Sequence, residues 1–266
     1  MAGTAAGDTP VEEPAKETEE QKKSTFGSKL RAILFYVTTL LIAIPLFVVM
    51  LVIFPFQYLF DKYRRRGLHV VNNLWANLTT ALFYKIEVIG AENLPPKGTP
   101  AVYIANHQSY LDIFSLFRLW VPFKFVSKTS NFLLPIVGWS MFLTGHIPLK
   151  RMDARSQAQC LKACRTMLDN GGSVIFFPEG TRSLDQKLAP FKKGAFSIAT
   201  KAKMPIVPIT LVGTGKLMPS GQEGSLHSGG VKIIVHPPMM GTDPNQLMAD
   251  SREVIYNTLV EYGAET

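Results

Sequence analysis

Two polar clusters stand just beyond short apolar runs, and both hold residue types that acid–base or anion chemistry needs. The first is Asn106-His107-Gln108-Ser109-Tyr110-Leu111-Asp112, entered directly from the apolar run AVYIA and followed by an apolar helical pattern. His107 therefore falls where a strand ends and a helix begins, the position at which open α/β sheets carry their ligand chemistry. Asp112, five residues on, lies in the first helical turn and can fold back toward the imidazole. A carboxylate on one ring nitrogen fixes the tautomer and supports charge on the ring, leaving the other nitrogen to take a proton. The same spacing also suits a plainer role, in which Asn106 and Asp112 only cap the turn.

The second cluster is Phe177-Pro178-Glu179-Gly180-Thr181-Arg182-Ser183, just past the apolar run SVIFF. Gly180 permits a sharp turn, and the planar fork of Arg182 suits a phosphate; the alternative is an ordinary loop with a solvated arginine. In Gly145-His146-Ile147-Pro148-Leu149-Lys150-Arg151, a Lys-Arg pair ends an apolar segment, which alone reads as surface. Ile206-Val207-Pro208-Ile209-Thr210 reads as a packed strand without chemistry of its own.

Other chemistries lack their residues. There is no G-x-S-x-G nucleophile elbow, and Gly213-Thr214-Gly215-Lys216 lacks the first glycine and the final hydroxyl residue of a Walker loop. Cys160 and Cys164 share a helix face and read as packing residues, and His69, His146, His227 and His236 show no metal spacing. No metal and no resident cofactor is expected, and the basic stretches lack the aromatic interleaving of a nucleic-acid binder.

The elements that must position these clusters follow from the alternation of short β-branched or aromatic runs with helical stretches. Strands are expected near Lys85–Ile89, Ala101–Ala105, Phe123–Val126, Ser173–Phe177, Ile206–Leu211 and Val231–Val235. Helices are expected near Tyr110–Leu119, Asp153–Asp169, Gly194–Lys201 and Pro244–Tyr262. Such alternation predicts an α/β domain over 84–266, with a mostly parallel mixed sheet flanked by helices.

Upstream, the chain changes character. Residues 1–30 hold six acids and four bases and predict a solvated acidic tail, which leaves the remainder with a charge of +10 against +8 for the whole chain of 266 residues. Two cysteines exclude a disulfide scaffold. From Ala32 to Phe60 there are 29 residues without a charge, enough for membrane insertion. Basic residues flank both ends (Lys22, Lys23, Lys29 and Arg31 before, Lys62, Arg64, Arg65 and Arg66 after), so the positive-inside rule gives no orientation. Pro45 divides the run into legs of 13 and 15 residues, each ~20 Å as helix and too short to span alone. The expectation is a hairpin that enters and leaves one face, with one tilted span as the alternative. Residues 70–84 should follow as an interfacial helix, making 31–83 a membrane-inserting or interfacial region.

Taken in order, NHQSYLD, GHIPLKR, FPEGTRS and VPIT resemble the four sequence blocks of the glycerolipid acyltransferases, specifically the 1-acyl-sn-glycerol-3-phosphate acyltransferases, in their bacterial and plastid branch. The resemblance covers roughly Leu68 to Met218; Pro148 departs from it, since many members carry a bulky apolar residue there. It implies that His107 and Asp112 are the catalytic dyad. It also implies that Arg151, Glu179, Gly180 and Arg182 hold a glycerol phosphate acceptor, and that Lys128 lies near the reacting carbonyl. The implied partners are lysophosphatidic acid, an acyl-CoA or acyl carrier protein thioester as co-substrate, and membrane lipid, with no nucleic acid. The implied location is a membrane: endoplasmic reticulum or plastid envelope in a eukaryote, plasma membrane in a bacterium.

The residue chemistry agrees with that resemblance. The chain offers no evident nucleophile, but a lysolipid hydroxyl can serve if a base removes its proton, and an unperturbed histidine titrates at about 6.5. The apolar run Phe132–Leu143 is either an acyl channel wall or a buried helix. Three other functions fit less of the sequence: transfer to glycerol-3-phosphate or another lysophospholipid, lipid hydrolysis with water in place of the acceptor, and silent binding of anionic lipid.

Overall fold

The computed structural model describes residues 24–263; most of the expected acidic tail lies outside them. Helix α1 (Phe26–Phe60) and helix α2 (Arg66–Ala81) precede strand β1 (Lys85–Ile89). Then come β2 (Val102–Ala105), α3 (Leu111–Leu116), β3 (Phe123–Lys128), α4 (Val137–Thr144) and β4 (Ile147–Leu149). The chain continues through α5 (Ala154–Asp169), β5 (Ser173–Phe176), α6 (Gly194–Ala202), β6 (Ile206–Val212), α7 (Thr214–Leu217), β7 (Gly230–Val235) and α8 (Pro244–Glu261).

The seven strands form one sheet in the order β1-β7-β6-β2-β5-β3-β4. All neighbours pair parallel except β6 and β7, so β6, β2, β5, β3 and β4 point one way and β7 and β1 the other. The predicted mostly parallel mixed sheet is thus present. Alternating side chains feed two cores. Val102 and Ile104 of β2 enter one cluster with Val174, Ile206, Cys160, Cys164, Phe196 and Ile255, beneath α5, α6 and α8. Tyr103 and Ala105 enter the other with Ile175, Ile209, Phe114 and Phe123, beneath α1, α2 and α3. Burial on both faces is why these strands read as unbroken apolar runs. The two cysteines are buried packing residues, as their helical spacing suggested.

The first helix differs from expectation at both its start and its middle. It begins at Phe26, within the segment expected to be tail, because Thr25 and Ser28 form a reciprocal cap: each side chain accepts from the other's backbone N–H. It then runs unbroken for 35 residues with Pro45 and Pro55 inside it, so the expected hairpin turn at Pro45 is not there. Proline removes one helical donor and crowds the preceding turn, but leaving the helix amid apolar side chains would strip several backbone groups of partners at once.

The chain reverses instead at 61–65, and α2 packs antiparallel along α1. The Gln57 side chain accepts from Gly67 N–H, Met50 packs near Leu68 and Val71, the Trp75 indole donates to the Thr39 carbonyl, and Phe35 meets Phe83 edge-on. The basic cluster after α1 is partly consumed inside the chain. Arg65 donates to the Phe142 and Leu143 carbonyls at the end of α4, and Arg66 pairs with Asp61.

Along α1, one stripe (Ser28, Ala32, Phe35, Thr39, Ala43, Met50) is buried against the body. Its other faces show Leu41, Val52, Phe56, Leu59 and Phe60 to the outside. Val70, Leu74, Leu78 and Leu82 are exposed at four-residue spacing on and just after α2, and Leu133, Trp139 and Phe142 are exposed as well. An apolar surface of this extent on a folded body marks a membrane or partner contact.

Candidate active site

The parallel strands deliver the motif residues to one edge of the sheet. His107 follows β2, Glu179 and Arg182 follow β5, Lys128 ends β3, and Arg151 follows β4. These are the carboxyl ends of four adjacent strands, where side chains from successive loops can converge.

His107 is fixed from every side but one. Its Nδ1 lies 2.8 Å from Asp112 Oδ2, and that same oxygen accepts from the backbone N–H groups of Gln108 and Ser109 at 2.8 and 2.9 Å. Asp112 is fully buried, and its other oxygen has no partner among the described residues. An acceptor-only carboxylate opposite Nδ1 assigns the ring proton to Nδ1, so Nε2 carries the lone pair. The Phe177 ring stacks on the imidazole with centroids 3.8 Å apart and planes 12° from parallel. Capping and orienting thus coincide: Asp112 closes the turn and holds the ring with one oxygen.

The second motif holds the first by its backbone. Glu179 Oε1 accepts from His107 N–H at 2.7 Å, and Ser183 N–H donates to the His107 carbonyl at 2.9 Å. The other Glu179 oxygen accepts from Ala189 N–H at 3.0 Å. Both oxygens are therefore engaged by the chain's own amides, one of them that of His107. Burial pushes its carboxyl up to about 7, against the pull of those amide bonds.

Gly180 has φ +81°, and a Cβ there would stand 2.5 Å from Lys192 Nζ. Glycine both permits the turn and makes room for the lysine ammonium, which brings a cation to the turn that carries Arg182. Arg182 itself is part-exposed and pairs with Glu223 at 2.7 Å. Lys128 and Arg151 are exposed, and neither side chain contacts His107 or Arg182 among the described residues. Arg151 leaves a strand three places from β2, about 14 Å along the sheet.

Several contributors escaped the sequence reading. The Asn106 side chain imitates a strand residue, donating to the Leu211 carbonyl at 2.9 Å and accepting from Leu211 N–H at 2.7 Å. It pins the start of the His107 loop to β6, which gives VPIT its part in the site. Gln108 and Ser109 are tied likewise to the Gln186 and Met218 carbonyls. Phe177, Lys192 and Glu223 carry no spacing signal, because the fold alone brings them to His107 and Arg182. Among the described residues, no cluster of three or more metal-ligating side chains exists.

Residues 85–212 match the sequence family described as Acyltransferase. The chain is 58% identical over 235 residues to a 1-acyl-sn-glycerol-3-phosphate acyltransferase of Chlamydomonas reinhardtii, covering 87% of this chain and 70% of that protein. It is 48% identical over 259 residues to a chloroplastic 1-acyl-sn-glycerol-3-phosphate acyltransferase of Arabidopsis thaliana, covering 97% and 70%. Its fold is similar to the crystal structure of the 1-acyl-sn-glycerophosphate acyltransferase PlsC from Thermotoga maritima, with TM-score 0.74, 27% identity, and 90% and 99% of the two chains covered.

Proposed function

The chain belongs to the 1-acyl-sn-glycerol-3-phosphate acyltransferase family, and from that premise we propose how its site moves an acyl group from a thioester to the sn-2 hydroxyl of lysophosphatidic acid, giving phosphatidic acid. The observation that carries the mechanism is the His107–Asp112 pair at 2.8 Å, with Nε2 unengaged at the sheet edge and Arg182 on the adjoining turn.

His107 Nε2 takes the proton of the acceptor hydroxyl as that oxygen attacks the thioester carbonyl. Asp112 stabilises the imidazolium that forms. The tetrahedral intermediate collapses with cleavage of the C–S bond, and the departing thiolate recovers the proton from Nε2. The neutral ring is restored, and no atom of the protein is acylated. Arg182 receives the acceptor phosphate, its fork matching two phosphate oxygens. The family resemblance also assigns Lys128, at the end of β3, to the reacting carbonyl and Arg151, after β4, to the acceptor; both side chains are exposed, and Arg151 would have to act from about 14 Å along the sheet. The acyl-CoA or acyl carrier protein donor is a co-substrate, and the chemistry needs no resident cofactor.

The lipid tails call for an apolar environment at the same edge. Phe132, Trp139, Phe142 and Leu143 line an apolar groove of about 490 Å³ with Phe47 and Leu51 of α1, which we assign to an acyl chain. The helix α1 is long and apolar enough to cross a membrane. It also touches the rest of the chain from Ser28, whose carbonyl accepts from Leu226 N–H, to Gln57, against Gly67. A perpendicular span would drag the charged body into lipid, so we place α1 and α2 in one leaflet with the active site facing the thioester pool. The chloroplastic relatives point to a plastid membrane. Cysteines placed at Ser24 and Arg66 in sealed vesicles should be labelled from the same face; labelling from opposite faces rejects this placement.

Incubating the detergent-solubilised protein with labelled acyl-CoA, with and without lysophosphatidic acid, tests the reaction. Acceptor-dependent phosphatidic acid is expected. Free fatty acid alone would mean hydrolysis, and no turnover would mean binding only.

A further inference from the structure

Arg182, the cation best placed for the acceptor phosphate, is not waiting bare. Its Nη1 lies 2.7 Å from Glu223 Oε1, with about a third of each side chain exposed (35% and 34%). Glu223 is also held in place: Gly221 N–H donates to the same carboxylate oxygen at 3.1 Å, and the Tyr36 hydroxyl donates to the Glu223 carbonyl at 2.9 Å. Tyr36 belongs to the apolar helix α1. Two further ties strap the same loop to the start of that helix and the residues before it: Leu226 N–H to the Ser28 carbonyl at 2.9 Å, and the Ser225 hydroxyl to that of Ser24, just ahead of the helix, at 2.7 Å.

We propose that Glu223 is an intramolecular stand-in for the acceptor's phosphate monoester: it neutralises Arg182 between turnovers and is displaced when the substrate phosphate arrives. The proposal rests on the acceptor reading above and adds a residue to it. Glu223 holds Arg182 by one contact, Nη1 to Oε1, whereas a phosphate can take the guanidinium fork with two oxygens, so the two anions compete for the same Nη1. A phosphate dianion outcompetes a monoanionic carboxylate for this cation, and Lys192 beside Gly180 favours the larger charge. The Tyr36 hydrogen bond makes the exchange depend on the position of α1, so a shift of that helix in lipid would loosen the strap.

Part-exposed ion pairs are weak enough to be exchanged, which sets the expected effect. Glu223→Gln keeps the shape and removes the competing charge, so the KM for lysophosphatidic acid should fall about two- to five-fold. Tyr36→Phe keeps the ring packing and cuts the strap, and should move KM the same way by less. Arg182→Lys should raise KM, and in the Arg182→Lys/Glu223→Gln double variant the gain from Glu223→Gln should vanish, since its partner is gone. Equilibrium binding of glycerol 3-phosphate to the same full-length proteins reads the displacement without turnover, and should tighten in Glu223→Gln. Unchanged or weaker glycerol 3-phosphate binding in Glu223→Gln, at wild-type melting temperature, overturns the proposal, as does a KM gain that persists in the double variant. A protein without acceptor-dependent turnover that still shows the tighter binding keeps the displacement and loses the transferase reading, so the two failures are distinguishable.

Discussion

Two histidine environments, one at the sheet's carboxyl edge and one between helix α2 and the sheet, have opposite chemistry. At the carboxyl edge His107 faces a carboxylate, stacks on Phe177 and keeps one nitrogen open. His69 of α2 and His146, just before β4, are buried with Lys124, whose ammonium donates to the Arg64 carbonyl. Burial, then the neighbouring Lys124, hold His69 well below its ordinary range; the same causes with Arg65 added push His146 down to about 3. Burial first, then Arg65, bring Lys124 down to about 7, with Asp61 pulling the other way. Without an acid in contact, an imidazole in the core stays neutral and packs, and His146 spends its Nδ1 accepting from Phe125 N–H at 3.1 Å. What fits His107 for the proposed role of base is a carboxylate on one nitrogen and access to the other, which the two buried histidines lack.

The contrast breaks if removing the carboxylate does little. Asp112→Asn keeps the imidazole in place but removes the charge that favours the Nδ1–H tautomer, so kcat should fall by roughly 10²–10⁴ with the fold retained. Near-normal turnover would return Asp112 to a plain cap. A smaller effect is expected at Arg182→Lys, where the charge stays but the fork is lost: the acceptor KM should rise about tenfold, with kcat falling less. A fall in kcat at unchanged acceptor saturation would place Arg182 in the chemistry instead.

The second environment should answer in stability rather than rate. His146→Ala strands the buried Phe125 N–H, a loss of about 1–3 kcal/mol, or roughly 2–10 °C in Tm, with kcat within about threefold of wild type. A comparable effect on stability, read through pH, concerns Lys124. Its folded pKa of about 7 lies below the ordinary 10.5, so between those values the unfolded chain holds more protons. Stability should therefore rise as pH climbs from 7 toward 10.5 and decline as pH falls back through that window. Comparing thermal melts of wild type and Lys124→Met at pH 7 and pH 9 checks it: only wild type should gain at pH 9.

The sequence made the catalytic region more legible than the region around it. Strands buried on both faces announce themselves as apolar runs, which makes β2, β5 and β6 readable, while β1, β3 and β7 show in their β-branched and aromatic residues. By contrast, β4 is three residues at the sheet's edge with Pro148 in its middle, a strand that lacks the usual signal because an edge position tolerates proline. The pairing of His107 with Asp112 was readable because both lie within one turn. Glu179 was noticed, but its inward direction was not, since facing the substrate or the His107 amide depends on how two loops cross. Lys192 and Glu223 owe their positions to partners far along the chain, and no local pattern records them; Asn106 stands in the motif, but its partner Leu211 is 105 residues away. Pro45 misled because the rule that proline breaks a helix assumes that water can satisfy the freed groups, which an apolar setting does not supply.

The most direct measurement is single-turnover formation of phosphatidic acid by His107→Ala beside wild type, with thioester and lysophosphatidic acid both saturating, and glycerol 3-phosphate binding measured on the same samples. If His107 Nε2 is the base, the rate of the chemical step falls by about 10²–10⁴ while binding is unchanged. A near-wild-type single-turnover rate in His107→Ala would contradict the account.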